Sequence, residues 1–173
     1  MPFSATTLQQ AENIISQMRH LGLKLVTAES CTGGLLGALF TEIAGSSDVY
    51  ERGFITYSNA AKIECLGVDA ETINNFGAVS PQTAEAMAIG AIKKSQADIS
   101  ISITGIAGPG GGSLEKPVGL VYIGVCNKNY AFSSHKIHFT GSREMVRLQA
   151  LEKTLDILND TISKPRKADD ALG

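Results

Sequence analysis

The sequence predicts an α/β fold of three layers, α/β/α, around a mixed, mostly parallel sheet of five strands. Three β-like runs alternate with helical patterns over residues 5–104, as in consecutive βαβ units. Two more β-like runs, joined by a tight turn, precede a final helical pattern. Right-handed crossovers place the first strand between the second and the third, with the hairpin beyond the third. We expect one domain over residues 1–164 and a polar, disordered tail at 165–173.

The first predicted elements are a helix, a buried strand and a second helix. Apolar side chains in residues 5–21 form one helical stripe, with Ser4 available as the N-cap and Gly22 as the stop. Residues 24–29 form a short apolar run that predicts the first strand. The segment after it has apolar side chains at helical spacing, so a helix should follow the strand directly. These side chains are Leu35, Leu36, Leu39, Phe40 and Ile43.

The middle of the chain predicts a second strand and two helices. Residues 53–58 are expected to form the strand, and residues 59–66 a short helix that ends at Gly67. Ser80 is expected to cap a helix over 81–95, because serine is a good N-cap and the proline after it fits the first helical position.

The last part of the chain predicts three strands and a helix. Alternating β-branched residues at 99–104 indicate the third strand. The β-like runs 119–125 and 131–139 flank a tight turn, which is typical of an antiparallel hairpin. Ser142 can cap the final helix, expected over 143–162.

The composition excludes several functional classes. The formal net charge is -2, and no run of lysine or arginine precedes the last ten residues, so the charge pattern of a duplex nucleic-acid binder is missing. No stretch reaches the roughly 18 apolar residues of a membrane span, and the first segment lacks the apolar core of a signal peptide. We therefore expect a cytoplasmic protein that binds a small molecule, with no nucleic-acid or membrane partner.

The cysteines and histidines argue against disulfides and against a metal site. Cys31, Cys65 and Cys126 are odd in number and far apart in the sequence. His135 and His138 lie three apart in a predicted strand, so they would face opposite sides of the sheet. We expect neither a bound metal nor another cofactor.

Three unusual loops follow the three predicted parallel strands. They cover residues 29–34, 57–62 and 104–112 and are rich in serine, threonine, glycine and, in one case, lysine. The carboxyl ends of parallel strands meet at one edge of a sheet, where open α/β sheets bind ligands. Reactive side chains, backbone donors and a glycine-lined loop in one crevice are what acyl transfer needs. The convergence predicts an active site at this edge.

The residues of these loops also have plain structural explanations. Ser30 or Thr32 could cap the second helix instead of reacting. Gly33 and Gly34 would cost about 1 kcal/mol each relative to alanine in a first helical turn, which favours close approach of a ligand or of another backbone. Lys62 would lie in the first turn of a short helix, where the helix dipole disfavours a cation, or it could be an ordinary exposed lysine.

The glycine loop and the final helix each allow two interpretations. The loop 104–112 matches neither a P-loop nor a Rossmann fingerprint, and it either connects strands flexibly or covers a ligand. Arg143 and Arg147, four residues apart, either clamp a phosphate with the N–H groups of their helix or form an exposed charged face. Tyr57 is the aromatic residue next to the predicted site.

Five segments, taken together and in order, resemble the CinA C-terminal-domain family. They are AESCTGG at 28–34, TYS and a following lysine at 56–62, VSPQTAEAMA at 79–88, TGIAGPGGG and KPVG within 104–119, and FTGSRE and a following arginine at 139–147. The resemblance covers nearly the whole chain. It implies similarity to stand-alone members of the PncC type, amidohydrolases that convert nicotinamide mononucleotide and water to nicotinate mononucleotide and ammonia.

The resemblance also implies the roles of individual residues. It assigns the nucleophile to Ser30, the base to Lys62 and a catalytic role as polar partner to Thr104, with Tyr57 and Arg143 near the substrate. The other expected substrate-binding residues come from the first and third loops. They are Cys31, Thr32, Gly33, Gly34, Gly105 and Gly108.

The expected mechanism uses neutral Lys62 as the base for Ser30, with backbone N–H groups at the start of the following helix around the oxyanion. A carboxylate beside the amine would raise its pKa, so Glu29 should point elsewhere. Ser142 departs from the family, which often has an acidic or amide residue there, and this leaves the phosphate contacts open. The N-terminal domain of full-length CinA proteins is expected to be absent, together with its activity.

Two alternatives and the assembly state stay open at this point. Cys31 could be the nucleophile, because a thiol gains reactivity at a helix N-terminus. The chain could also be a nucleotide-binding module without turnover, in a regulatory or competence-related role. A homo-oligomer is compatible with the sequence.

Overall fold

The computed structural model describes residues 3–163, so the predicted tail at 165–173 lies outside the described residues. The helices are α1 (Ala5–His20), α2 (Leu35–Thr41), α3 (Asn59–Leu66), α4 (Ala70–Phe76), α5 (Pro81–Lys93) and α6 (Arg143–Ser163). The strands are β1 (Leu25–Glu29), β2 (Tyr50–Ile55), β3 (Ile99–Gly105), β4 (Leu120–Asn127) and β5 (Phe132–His138). A short 3₁₀ helix, Ser46–Asp48, precedes β2.

The five strands form one sheet in the order β2-β1-β3-β4-β5, which confirms the predicted order. β1 is parallel to both β2 and β3. β4 is antiparallel to β3, and β5 is antiparallel to β4, as predicted for a hairpin. The prediction of a mostly parallel sheet is wrong in this detail, because the hairpin returns beside β3 and contributes as many antiparallel pairings as β1 contributes parallel ones.

Helices cover both faces of the sheet, which confirms the predicted three layers. α1, α2 and α6 pack against one face, where they bury Leu25 of β1 and Ile101 of β3. α3, α4 and α5 pack against the other face, where Val26 and Ala28 of β1 are buried. Successive side chains of a strand point to opposite faces, so the buried run in β1 supplies both cores.

Hydroxyl side chains on β3 fix the position of α5. Ser100 and Ser102 are fully buried and donate hydrogen bonds to the backbone oxygens of Ala88 and Ala84, at 2.8 and 2.6 Å. These bonds satisfy groups that would otherwise be costly to bury, and the alanine side chains of α5 allow the close approach. The start of α5 is thereby held at the carboxyl end of β3.

The predicted serine caps are present at three helix starts. The hydroxyls of Ser4, Ser80 and Ser142 accept hydrogen bonds from the backbone N–H three residues further on, at 3.1, 3.1 and 3.3 Å. Each bond satisfies one of the N–H groups that a helix leaves without a partner in its first turn.

Two parts of the chain differ from the prediction. The second strand, expected over 53–58, covers Tyr50–Ile55 instead. Its pairing with β1 ends where the N–H of Thr56 donates to the carbonyl of Glu29 at 2.8 Å, and the chain then turns so that Ser58 can cap α3. Helix α4, capped by Asp69, was not predicted.

The carboxyl ends of β1, β2 and β3 lie at the same edge of the sheet. α5 begins at this edge because it runs back along the sheet to lead into β3. α6 begins there too, because β5 points in the same direction as β3 and α6 follows it. One edge of the sheet therefore brings together the carboxyl ends of three strands, β1, β2 and β3, and the starts of two helices, α5 and α6.

Candidate active site

Ser30 is the first residue after β1 and begins a tight turn that leads to α2. Its backbone N–H donates to the carbonyl of Ile103 at 2.9 Å, and its own carbonyl accepts from the N–H of Gly33 at 3.0 Å. Only 8% of Ser30 is exposed, and it lines a cleft. The backbone of the turn is thus held on both sides of the residue that carries the hydroxyl.

Lys62 lies in the first turn of α3, and its side chain is buried, with 1% of the residue exposed. Its Nζ is 2.9 Å from Ser30 Oγ and 2.8 Å from the carbonyl oxygen of Thr56. Burial lowers the pKa of Lys62 from the ordinary lysine value. Among residues 3–163 no carboxylate forms an ion pair with this amine. The arrangement favours a neutral amine in contact with a serine hydroxyl.

Glu29 is buried and points to the start of α2, away from Lys62, as predicted. Its carboxylate accepts hydrogen bonds from the N–H groups of Gly34, Leu36 and Gly37, at 3.1, 3.1 and 2.9 Å. A carboxylate is favourable at a helix N-terminus, because the N–H groups there lack partners. These three N–H groups are therefore occupied, and they leave the N–H groups earlier in the SCTGG segment as the ones that could hold the oxyanion.

Cys31 follows Ser30 and also lines the cleft, but its thiol is in an unreactive setting. Burial raises the pKa of the Cys31 thiol to about 11; the backbone N–H of Cys31 lowers it in part, the Glu29 carboxylate raises it, and Lys62 and Arg147 have smaller lowering effects. A thiol must lose its proton to react as a nucleophile. The geometry therefore favours Ser30 over the Cys31 alternative.

The cleft beside Ser30 has a volume of about 260 Å³. It is lined by the loops that follow β1, β2 and β3, by the loop before α5 and by the start of α6. Eight of the predicted site residues lie in its wall. They are Ser30, Cys31, Tyr57, Lys62, Thr104, Gly105, Gly108 and Arg143.

Three predicted substrate-binding residues do not line the cleft. Thr32 is fully buried behind the turn. Gly33 lies against the guanidinium of Arg147, and Gly34 lies against Ile55, whose Cδ1 would be 2.8 Å from an added Cβ. Both glycines also have positive φ angles, 62° and 94°. The positive φ angles favour glycine at both positions, and the contact with Ile55 also requires a small residue at Gly34.

Thr104, at the end of β3, is 1% exposed and donates its hydroxyl proton to the carbonyl oxygen of Ala78 at 2.7 Å. This bond ties the loop before α5 to the cleft, where Ala78 and Val79 form part of the wall. The sequence argument on converging loops missed these two residues. The available signal was the Ser80 cap, since a helix that leads into a parallel strand begins at the carboxyl edge of the sheet.

Arg143, the first residue of α6, connects two sides of the cleft. Its Nη1 donates to the carbonyl of Gly108 in the glycine loop at 2.9 Å, and its Nη2 donates to the hydroxyl of Tyr57 at 2.7 Å. Arg147 points to a different place, where its Nη2 donates to the carbonyl of Thr32 at 2.9 Å. The two arginines therefore do not form one clamp, which argues against the interpretation that both bind one phosphate.

The wall of the cleft also includes other residues of the glycine loop that were not singled out. Ile106, Ala107, Gly110 and Gly111 contribute to it, so the loop forms part of the cleft wall. Within the part of the chain that the structure describes, no group of three histidine, cysteine or acidic residues could hold a metal ion. No helix in that part is long and apolar enough to cross a membrane.

Comparisons with known proteins agree on one family. A family model described as the CinA C-terminal domain matches residues 7–162, which include every residue that lines the cleft. The nicotinamide-nucleotide amidohydrolase PncC of Escherichia coli K12 is 45% identical over 151 residues, which are 87% of this chain and 92% of that protein. The crystal structure of the competence/damage inducible protein CihA from Agrobacterium tumefaciens matches with a TM-score of 0.90 at 46% identity, over 94% of this chain and 98% of that chain.

Some relatives are much longer than the region that matches. A protein of Caldicellulosiruptor saccharolyticus, whose name refers to competence and damage induction, is 52% identical over 151 residues. These residues are 87% of this chain but only 36% of that relative. The chain therefore spans about a third of the length of such relatives.

Proposed function

Because the chain belongs to the family of CinA C-terminal domains, we propose that it is an amidohydrolase that converts nicotinamide mononucleotide and water to nicotinate mononucleotide and ammonia. The observation that carries the proposal is the contact of 2.9 Å between buried Lys62 Nζ and Ser30 Oγ in a cleft. The proposal is further supported by the PncC relatives, which match over most of their own length.

In the first half of the reaction, the hydroxyl of Ser30 attacks the carboxamide carbon. Lys62, neutral, keeps one N–H on the carbonyl of Thr56 and takes the proton from Ser30 Oγ. The electron pair of the carboxamide C=O moves to its oxygen, which gives a tetrahedral oxyanion. The Lys62 ammonium then gives its proton to the amide nitrogen, the C–N bond breaks, and ammonia leaves with the bonding pair.

In the second half, water replaces ammonia in the cleft. Lys62 takes a proton from this water, and the hydroxide oxygen attacks the ester carbon that is bound to Ser30 Oγ. When the carbon–Oγ bond breaks, Ser30 regains its proton from Lys62. Nicotinate mononucleotide leaves, and both side chains return to their starting protonation states.

The oxyanion needs hydrogen-bond donors that the fold has not already used. The N–H groups at the start of α2 are taken by Glu29. The N–H of Cys31 lies in the turn directly after Ser30 and has no oxygen acceptor among residues 3–163; its contact is with the Cys31 thiol, a weak acceptor that an oxyanion can replace. We assign the oxyanion to this N–H. In comparable sites, removal of one such donor raises the activation free energy by about 3 kcal/mol.

We assign recognition of the substrate amide to Thr104. Its hydroxyl proton is committed to the carbonyl of Ala78, so Thr104 Oγ1 can offer only lone pairs to the cleft. A carboxamide has N–H groups to donate to such an acceptor, whereas the carboxylate product does not. This difference favours exchange of product for substrate.

Arg143 is the proposed contact for the 5′-phosphate. Its two hydrogen-bond partners, the carbonyl of Gly108 and the hydroxyl of Tyr57, are uncharged. A phosphate would form stronger, charge-assisted bonds with the same guanidinium. Arg143 is also the first residue of α6, whose first-turn N–H groups add to the attraction of an anion.

The experiment that tests this function measures ammonia release from nicotinamide mononucleotide by the purified protein. We expect ammonia and nicotinate mononucleotide in equal amounts, and no ammonia when nicotinate mononucleotide is supplied instead. Binding of the mononucleotide in a calorimeter without any ammonia would contradict the proposal and would favour a nucleotide-binding module without turnover.

A further inference from the structure

We propose that Arg147 strengthens the oxyanion donor of the active site from outside the cleft, through two hydrogen-bonded peptide units of the Ser30 turn. Arg147 does not line the cleft, and its contact with the turn does not fit the phosphate-binding role considered for it from the sequence. The inference rests on the proposed function, because it concerns the same oxyanion. It adds a positioning residue that acts through the backbone.

Arg147 makes the first of the hydrogen bonds that connect it to the Ser30 turn. Its Nη2 donates to the carbonyl oxygen of Thr32 at 2.9 Å. None of the three ion pairs among residues 3–163 includes Arg147, so its charge is not neutralised by a carboxylate. Its Nε is buried and lacks a hydrogen-bond partner among the same residues. The guanidinium is therefore held against the turn at some cost, with the Thr32 carbonyl as its acceptor.

The backbone of the Ser30 turn continues this series of hydrogen bonds. The carbonyl of Thr32 and the N–H of Gly33 belong to one peptide unit, and this N–H donates to the carbonyl of Ser30 at 3.0 Å. The Ser30 carbonyl shares its peptide unit with the N–H of Cys31, a residue in the cleft wall. Two peptide units thus lie head to tail between the guanidinium of Arg147 and the N–H assigned to the oxyanion.

Hydrogen bonds in such a chain polarise one another. A cation on the first carbonyl makes the N–H of the same peptide a better donor, and the effect passes to the next peptide, at about 10–30% per bond. The charge also reaches the turn directly: while burial raises the pKa of the Cys31 thiol, Arg147 acts in the opposite direction. The donor that faces the oxyanion is therefore strengthened without placing a cation beside Lys62.

The test combines turnover with a backbone signal in Arg147→Met, which keeps the length of the side chain and removes the charge and the donors. We expect kcat for nicotinamide mononucleotide to fall about three- to tenfold with KM unchanged. The amide proton resonance of Gly33 should move upfield in a two-dimensional NMR spectrum, since its hydrogen bond weakens. Arg147→Lys, which retains a cation and a donor, should stay within threefold of the wild type.

Lys153→Met is the matched control, since it removes a charge from an exposed position further along α6. It should change neither kcat nor the Gly33 resonance. An unmoved Gly33 resonance in Arg147→Met would overturn the proposal, and so would a rise in KM at constant kcat or a loss in Arg147→Lys as large as in Arg147→Met. A wild-type protein that releases no ammonia would refute the proposed function instead. The Gly33 resonance would still show whether Arg147 acts on the hydrogen bonds of the Ser30 turn.

Discussion

The amine of Lys62 lies 2.9 Å from the hydroxyl of Ser30, and its other partner at 2.8 Å is the carbonyl oxygen of Thr56. Both partners are uncharged, and burial lowers the pKa of the amine. A lowered pKa increases the fraction of neutral amine at a given pH, and the neutral amine is the state that a general base needs.

Ser30→Ala should abolish ammonia release, whereas Cys31→Ala should retain a substantial part of it. The hydroxyl is assigned the attack, and the buried thiol, with a pKa of about 11, stays protonated. Initial rates of ammonia release by the two variants check this, with circular dichroism to confirm folding. Equal losses in both variants would contradict the assignment of the nucleophile.

Lys62→Ala should lower kcat by two or more orders of magnitude, the usual effect of removing a general base. Lys62→Arg should not restore activity, because a guanidinium stays protonated at any accessible pH. Steady-state kinetics at saturating mononucleotide measures both effects. Full activity in Lys62→Arg would mean that Lys62 supplies only positive charge.

The pH dependence of kcat/KM should reflect the titration of Lys62. The protonated amine cannot accept the Ser30 proton, so the rate should rise with pH and level off above the pKa of Lys62, which burial places below the ordinary lysine value of 10.5. A pH series of kcat/KM in wild type and Lys62→Ala checks this. A wild-type profile with no acidic limb, or the same limb in Lys62→Ala, would assign the titration to another group.

Arg143→Ala should remove most of the preference for nicotinamide mononucleotide over nicotinamide riboside. Charge-assisted phosphate contacts are worth roughly 1.5–3 kcal/mol each, and several together should separate the two substrates by at least about a hundredfold in kcat/KM in the wild type. The riboside rate should change little, since Ser30 and Lys62 are untouched. If both rates fall in parallel, Arg143 supports the fold or the catalytic groups and does not recognise phosphate.

Gly90→Ala should destabilise the fold by about 1–3 kcal/mol, as overpacking does. A Cβ at Gly90 would collide with the backbone carbonyl of Leu66, where α5 crosses the end of α3. Urea unfolding measures the change. Gly110→Ala is the control, because nothing lies within 4 Å of its Cβ position, and it should stay within about 0.5 kcal/mol of the wild type.

Most strands and helices could be predicted because apolar spacing and serine caps agree along the chain. The position of β2 could not, because Thr56 and Tyr57 have the side chains of a strand, but Thr56 makes the last hydrogen bond to β1 and Tyr57 follows it. Helix α4 is only seven residues long, which is too short for a clear apolar stripe.

The site was predicted in outline because the carboxyl ends of parallel strands must meet. The hydrogen-bond partners of individual side chains within the site depend on distances that cannot be read from a sequence pattern. Glu29 illustrates this: the sequence argument required it to avoid Lys62, but its capture by the first N–H groups of α2 removed donors that had been assigned to the oxyanion. The different targets of Arg143 and Arg147, four residues apart on one helix, likewise follow from the tertiary packing of α6.

The partners of Arg143 have a consequence for turnover under the proposed function. Substrate and product carry the same phosphate. Stronger binding of this phosphate would therefore slow product release as much as it favours substrate binding. The guanidinium of Arg143 also has hydrogen-bond acceptors within the protein, the carbonyl of Gly108 and the hydroxyl of Tyr57. When the phosphate of the product leaves, Arg143 can return to these two acceptors, which limits product inhibition. Because the phosphate is charged and the two acceptors are neutral, Arg143 still binds the nucleotide in preference to them.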